Sequence, residues 1–329
     1  MKNIALLGAG RIGKVHATAI ASLKSARLVA VTDPFEDAAN AIAAETGAAV
    51  TTPDAIFTDP AVDAVIIATP TDLHATQIEE AARAGKAAFC EKPIDLDAAR
   101  VRACLNVVAE AGTPLMVGFN RRFDTHFAEV KRRLDAGAIG KIELLEITSR
   151  DPGPPPAEYI RRSGGLFRDM MIHDFDMAAF LLAEPIQSVS AAGSVLVDPA
   201  IGAEGDIDTA IVTLKTASGA LAVITNSRRA TYGYDQRIEV HGAAGMLEAG
   251  NMRATTVVTA TAAGYVADPV LDFFPERYAA AYRTELATFV DNLTTGAPMS
   301  PSGDDALAAL VLADAALESF NTGRTVTVA

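Results

Sequence analysis

Short apolar runs alternate with helical patterns over the first 118 residues, an arrangement that calls for parallel strands joined by crossover helices. Strands are expected at Asn3 to Leu7, Arg27 to Thr32, Ala48 to Thr51, Asp63 to Thr69, Ala87 to Cys90 and Pro114 to Gly118. Between them, Ile12 to Leu23, Phe35 to Glu45, Leu73 to Ala84 and Asp97 to Ala111 are rich in alanine, with apolar residues recurring every three or four positions, as in helices lying on a sheet. Six strands in this rhythm make a doubly wound parallel sheet. After Arg121 the rhythm changes: a helix at Thr125 to Ala136 and a strand at Lys141 to Thr148 lead into the loop DPGPPP, Asp151 to Pro156. From Ile186 to Val258, β-rich runs are separated by Gly and Asp, and the ASG turn within AIVTLKTASGALAVITNS makes its two flanking strands antiparallel neighbours. Helices at Ala279 to Leu293 and Gly303 to Phe320 close the chain. The expectation is an α/β protein with a Rossmann-type sheet over residues 1–121 and an α+β domain with an open, mainly antiparallel sheet over 122–329. No internal repeat interrupts it.

Composition narrows the function classes. At roughly 150 residues per domain, 329 residues fit two domains with sizeable cores. No apolar run approaches the roughly 20 residues of a membrane helix, and the apolar start MKNIALLGAG runs directly into a glycine turn, so it reads as a first strand and not a signal peptide. Cys90 and Cys104 are too few for a disulfide framework, which fits a reducing cytoplasm. A net charge of -13 with no basic stripe argues against nucleic acid as a partner.

The segment GAGRIG lies between a strand and a helix, as in a dinucleotide fingerprint. Gly8 permits the tight turn, Gly10 lets the backbone approach a pyrophosphate, and Gly13 allows the helix to pack closely on the strand, with Arg11 and Ile12 in the same cofactor loop. Free N–H groups at the helix N-terminus favour the anion. The second strand, RLVAVTD, ends in Asp33, whose carboxylate suits ribose hydroxyls and repels a 2′-phosphate; NAD is therefore expected over NADP, although Arg11 is a nearby cation and Asp33 could serve only as a turn residue before Pro34.

The fourth and fifth strands end in ATPTDLHA and CEKPI, placing polar groups where ligands bind in such folds, outside the carboxyl ends of the strands. With GAGRIG, EKP at Glu91 to Pro93, GFNRRF at Gly118 to Phe123 and GGLFRDMMIHDFDMAAFLL at Gly164 to Leu182, the whole chain resembles the Gfo/Idh/MocA oxidoreductases, and SRDPGPPPAEYIRRSGGLFRDMMIHDFDM is similar to inositol 2-dehydrogenases. The resemblance implies that Lys92 contacts nicotinamide ribose and substrate, and that Asp169 and His173 form a proton-handling pair. It also implies that Thr69 and Pro70 line the nicotinamide pocket, where His74 either joins them or packs at the helix N-terminus, and that Glu91 belongs to the cofactor site. Asn120, Arg121, Asp151 and Tyr234 would meet substrate hydroxyls, with the adjacent Arg122 as the alternative to Arg121, and NAD is the implied cofactor.

Residue chemistry is compatible with those roles. Phe167 to Leu182 reads as one helix, so Asp169 and His173 would share a face and could hydrogen-bond. A histidine starts near pKa 6.5 and a lysine near about 10.4, so His173 is the expected base and Lys92 the charged donor that polarises the reacting oxygen. By residue type alone, Asp169 and His173 could equally be an exposed pair and Lys92 an exposed loop lysine. His16 reads as a packing residue; His126 and His241 lack acidic or cysteine partners at ligand spacing, so no metal is expected. The implied activity is NAD-dependent oxidation of a secondary hydroxyl of a cyclic polyol by a homotetramer, with myo-inositol the leading substrate and another inositol isomer or an aldose the alternative. A related glycosidase or an NAD sensor would have less need to keep Lys92, Asp169 and His173 together.

Overall fold

Four consecutive apolar residues at the end of the first strand, Ile4 to Leu7, are wholly buried, because this strand has a partner on each side and helices above and below. The computed structural model describes residues 1–328. It divides into one unit of Met1–Phe123 with Ala279–Leu310, and another of Asp124–Tyr278 with the residues from Val311 onward.

The first unit alternates β1 (Lys2–Leu7), α1 (Arg11–Ala21), β2 (Ala26–Thr32), α2 (Glu36–Thr46), β3 (Ala49–Val50), α3 (Pro53–Thr58), β4 (Ala64–Ile67), α4 (Thr71–Arg83), β5 (Ala87–Glu91), α5 (Ala98–Ala111) and β6 (Leu115–Gly118). All six strands are parallel in the order β3-β2-β1-β4-β5-β6, the doubly wound order expected of a Rossmann sheet. The order reverses between β1 and β4. The crevice beside the ends of these strands is therefore the binding position. The short helix α3 was not expected; Thr52 caps it by accepting from the Ala55 N–H, with Pro53 at its first position. A 3-10 turn at Asn120–Phe123 ends this stretch.

The second unit opens with α6 (Thr125–Asp135), capped by the Asp124 carboxylate on the His126 and Phe127 N–H groups, and β7 (Ile142–Arg150). Three helices follow, α7 (Ala157–Ser163), α8 (Gly165–Asp169) and α9 (Ile172–Leu182), then β8 (Ile186–Ser194), α10 (Pro199–Ala203), β9 (Thr209–Thr216), β10 (Leu221–Ser227), β11 (Asp235–Gly242) and β12 (Gly245–Ala249). A separate hairpin, β13 (Val258–Thr261) and β14 (Gly264–Ala267), precedes α11 (Phe274–Arg277), α12 (Ala279–Thr295), α13 (Gly303–Thr322) and β15 (Val326–Thr327). The seven-stranded sheet, β12-β11-β7-β10-β9-β8-β15, is antiparallel except between β7 and β10. The ASG turn joins β9 to β10 as expected, with Gly219 at φ 93. Ile238, Ile147, Ile224 and Val212 form one buried row across four strands, while Ile211 and Leu221 face outward from the same sheet.

Two expectations need correction. The boundary at residue 121 does not divide the chain once, because Ala279–Leu310 belongs with the first unit: Leu286, Phe289 and Val290 of α12 join Ile20 and Phe89 in its core. Apolar periodicity shows that a helix has a buried face but not which core receives it. The single helix expected over Phe167 to Leu182 is two helices, interrupted at Met170 and Met171. There the Met171 N–H reaches back five residues to the Leu166 carbonyl, and a new helical ladder begins with Phe175 N–H to Met171. Asp169 thus ends α8 and His173 sits in the first turn of α9.

Candidate functional site

The turn after β1 is built for a close ligand. A Cβ on Gly13 would lie 2.1 Å from the Gly8 carbonyl oxygen, and one on Gly8 would lie 2.5 Å from that of Ala68, so neither position admits a side chain. Around Gly10 the space is open within 4 Å, and Gly10 caps α1 without any side-chain hydrogen bond. The first N–H groups of α1 consequently remain for an anion. Arg11 is exposed and Ile12 half-buried at this end.

Asp33 follows β2, with one carboxylate oxygen accepting the Ala9 N–H at 2.6 Å and the other the Phe35 N–H at 2.8 Å. It joins the glycine turn to the end of the second strand and leaves further lone pairs for ribose hydroxyls. These residues fit an NAD molecule: uncapped N–H groups for its pyrophosphate, an acidic acceptor for its adenosine ribose, and no bulk at Gly10. After β4, the Thr69 hydroxyl donates to Gln77 at 2.6 Å, and Pro70 caps α4. His74 is buried, with its ring nitrogens 2.7 Å from the Thr69 carbonyl and 2.8 Å from that of Pro93. Its side chain therefore acts by joining two loops and has no ring nitrogen left for a cofactor.

Glu91 ends β5 facing inward. Its carboxylate meets His16 Nε2 at 2.6 Å and accepts the Lys92 N–H at 3.3 Å. His16 is fully buried and packs edge-on against Phe89 and Tyr282, so the expected packing role is joined by a hydrogen bond that fixes the backbone entering Lys92. Lys92 itself is half-buried. Asn120 and Arg121 lie in the 3-10 turn and are 2 % and 4 % exposed; Nδ2 of Asn120 is a buried donor with no partner among the described residues, available to a ligand. Arg122, the alternative to Arg121, is paired with Asp305 at 3.2 Å.

The second unit holds the acid–base candidates. Asp169 accepts the Tyr159 hydroxyl on Oδ1 at 2.7 Å, and its Oδ2 lies 3.4 and 3.5 Å from the terminal nitrogens of Arg228. Next to His173, the fully buried Asp174 accepts Ser149 Oγ at 2.6 Å and Asn226 Nδ2 at 2.8 Å. Ser149, Asn226 and Gln236 are register partners on β7, β10 and β11, a polar row two residues beyond the apolar Ile238–Ile147–Ile224 row. The sheet thereby anchors the first turn of α9, which carries His173. Asp176, three residues further along α9 and 1 % exposed, shares the His173 side of the helix. Asp151 continues β7, its N–H on the Ser227 carbonyl, and Tyr234 is buried with its ring edge-on to Phe273 and Tyr278. His241 lies 3.5 Å from Glu143 across β11 and β7, both exposed, and among the described residues no three His, Cys, Asp or Glu are placed to hold a metal.

Sequence reasoning missed Tyr159, Arg228, Ser149, Asn226, Asp174 and Asp176. Only the two aspartates carried a signal, for charged residues within the apolar helix IHDFDMAAFLL are buried at a cost that calls for partners.

Residues 2–119 match the oxidoreductase family with an NAD-binding Rossmann fold, and residues 127–248 match the GFO/IDH/MocA C-terminal domain. The chain belongs to the Gfo/Idh/MocA oxidoreductase family. It is 58% identical over 324 residues to an inositol 2-dehydrogenase of Rhizobium meliloti (strain 1021), covering 98% of each chain. A crystal structure of a myo-inositol dehydrogenase from Corynebacterium glutamicum ATCC 13032 matches with a TM-score of 0.97 at 46% identity, covering 100% of this chain and 99% of that one. Another, scyllo-inositol dehydrogenase from Lactobacillus casei with bound NAD(H) and scyllo-inositol, matches with a TM-score of 0.93 at 31% identity over 100% and 99% of the two chains. In this Gfo/Idh/MocA protein the cofactor is NAD, as the strand-end Asp33 led one to expect.

Proposed function

We propose that the protein oxidises the secondary hydroxyl at C2 of myo-inositol to 2-keto-myo-inositol with NAD. The observation that carries this reading is full-length similarity to inositol 2-dehydrogenases, joined to a glycine turn and Asp33 suited to NAD. When bound, NAD supplies the electrophile that receives the hydride. His173 takes the hydroxyl proton as general base, held by the anchored first turn of α9. Asp169 orients His173 and stabilises its protonated form, and Lys92 donates a hydrogen bond to the reacting oxygen. Asn120, Arg121, Asp151 and Tyr234 match the remaining hydroxyls; an isomer that leaves one of these buried groups unpaired binds less well.

The second unit serves substrate binding and assembly, with the outward sheet face bearing Ile211 and Leu221 as the surface that subunits of a homotetramer cover. A cytoplasmic location suits the two free, buried cysteines. Among the described residues no helix is long and apolar enough to cross a membrane. The deciding experiment assays purified protein for NADH formation with a panel of inositol isomers and aldoses. The reading requires myo-inositol to give the highest kcat/KM; a preference for scyllo-inositol would move the assignment to the other isomer, and a preference for an aldose would overturn it.

A further inference from the structure

Tyr159 and Arg228 grip the two oxygens of Asp169 from separate elements. Tyr159, on α7, is half exposed at its ring but turns its hydroxyl onto Oδ1 at 2.7 Å. Burial, followed by the charge of Asp169 and the bond to it, pushes this phenol far above the ordinary tyrosine range, so it remains a proton donor at every working pH. Arg228, just past β10, is 1 % exposed and presents two nitrogens to Oδ2; its guanidinium also lies 3.7 Å from Asp206, whose carboxylate accepts the Leu166 N–H at the start of α8. One cation thus tethers both ends of the five-residue α8. A salt link alone would not require a tyrosine on the other oxygen, nor a dehydrated guanidinium shared between two carboxylates.

We infer that Tyr159 and Arg228 are positioning residues: together they hold the Asp169 carboxylate in one orientation and moderate the negative charge with which it acts on His173. The inference rests on reading Asp169 and His173 as the proton-handling pair. The hydroxyl and the guanidinium both draw charge from the carboxylate, so removing either makes Asp169 a stronger stabiliser of protonated His173. Asp206, before β9, faces Arg228, and Asp151, after β7, acts on Tyr159, while Asp174 and Asp176 share α9 with His173.

The test is an NMR titration of histidine-labelled full-length protein without substrate, with His173→Ala identifying the resonance. Tyr159→Phe is expected to raise the His173 midpoint by about half a pH unit and Arg228→Gln by more, while Arg228→Lys, which keeps the charge, stays nearer the wild type. The acidic limb of kcat/KM should move with the midpoint, with NAD affinity unchanged. A purely structural tether would leave the midpoint in place, so an unchanged or lowered value in Tyr159→Phe overturns the inference. That variant removes one oxygen from a half-exposed ring and decides the matter even if the buried arginine variants fail to fold. Asp169→Asn separates the two readings: if it lowers the midpoint while Tyr159→Phe does nothing, the pair stands and the positioning role falls. Absence of turnover on any polyol would sink the proposed activity without touching the titration.

Discussion

The carboxylate of Asp33 accepts the backbone N–H of Ala9 at 2.6 Å, so the residue proposed to select the cofactor also fixes the glycine turn. Replacing it therefore alters both affinity and preference. In Asp33→Ser combined with Pro34→Arg, the repelling charge is gone and a cation faces the 2′-phosphate, so the kcat/KM ratio of NADP to NAD should rise about tenfold or more. Steady-state kinetics with both cofactors measure it. An unchanged ratio would remove Asp33 from the cofactor site.

Gly13 and Gly10 make opposite predictions within the same turn. A methyl on Gly13 meets a main-chain carbonyl at 2.1 Å and cannot be accommodated by a rotamer change; Gly13→Ala should cost about 1–3 kcal/mol of stability and weaken NAD binding. Gly10→Ala points into open space, so its Tm should match the wild type while NAD affinity falls. Thermal denaturation paired with NAD titration distinguishes them, and a destabilised Gly10→Ala would contradict this geometry.

His173→Ala should lower kcat by about 10² to 10⁴, the usual worth of a positioned base, with NAD affinity unaltered because the glycine turn and Asp33 are untouched. Asp169→Asn should do less and shift the acidic limb of the pH profile. Lys92→Ala should weaken substrate binding and rate together. Near-normal turnover in His173→Ala, with a titrating limb still near about pH 6 to 7, would transfer the base role to Lys92.

Stability should fall on acidification partly through Asp208. Burial pushes its carboxyl up, but the N–H groups of Leu196, Val197 and Asp198 and the Thr209 hydroxyl outweigh that and hold it below the ordinary aspartate value. A carboxylate depressed in the folded state contributes stability above its unfolded pKa of about 3.9, and that contribution disappears as pH falls through the native value. Asp208→Asn should lose about 1–3 kcal/mol at neutral pH and show a smaller further loss between about pH 5 and pH 3 than the wild type. Urea unfolding at several pH values gives both quantities; parallel curves for the two proteins would assign the acid sensitivity elsewhere.

The chain's local patterning determined the parallel sheet, its six strands and the glycine turn, because each rests on short-range physics: apolar runs for strands buried on two faces, small residues where backbone meets backbone. The residues carrying the family resemblance were legible too, as chemical types at recognisable spacings. Local patterning could not show that α12 packs with the first unit, since an apolar stripe fits any core that complements it. It also could not show the interruption at Met170 and Met171, two good helix formers whose ladder changes register between the tethered α8 and the anchored α9. The partners of buried charge were equally hidden: Tyr159 and Arg228 lie 10 and 59 positions from Asp169, and Ser149 and Asn226 lie 25 and 52 from Asp174. Only tertiary structure decides such contacts, because strand register and helix docking set the distances across which a carboxylate finds its donors.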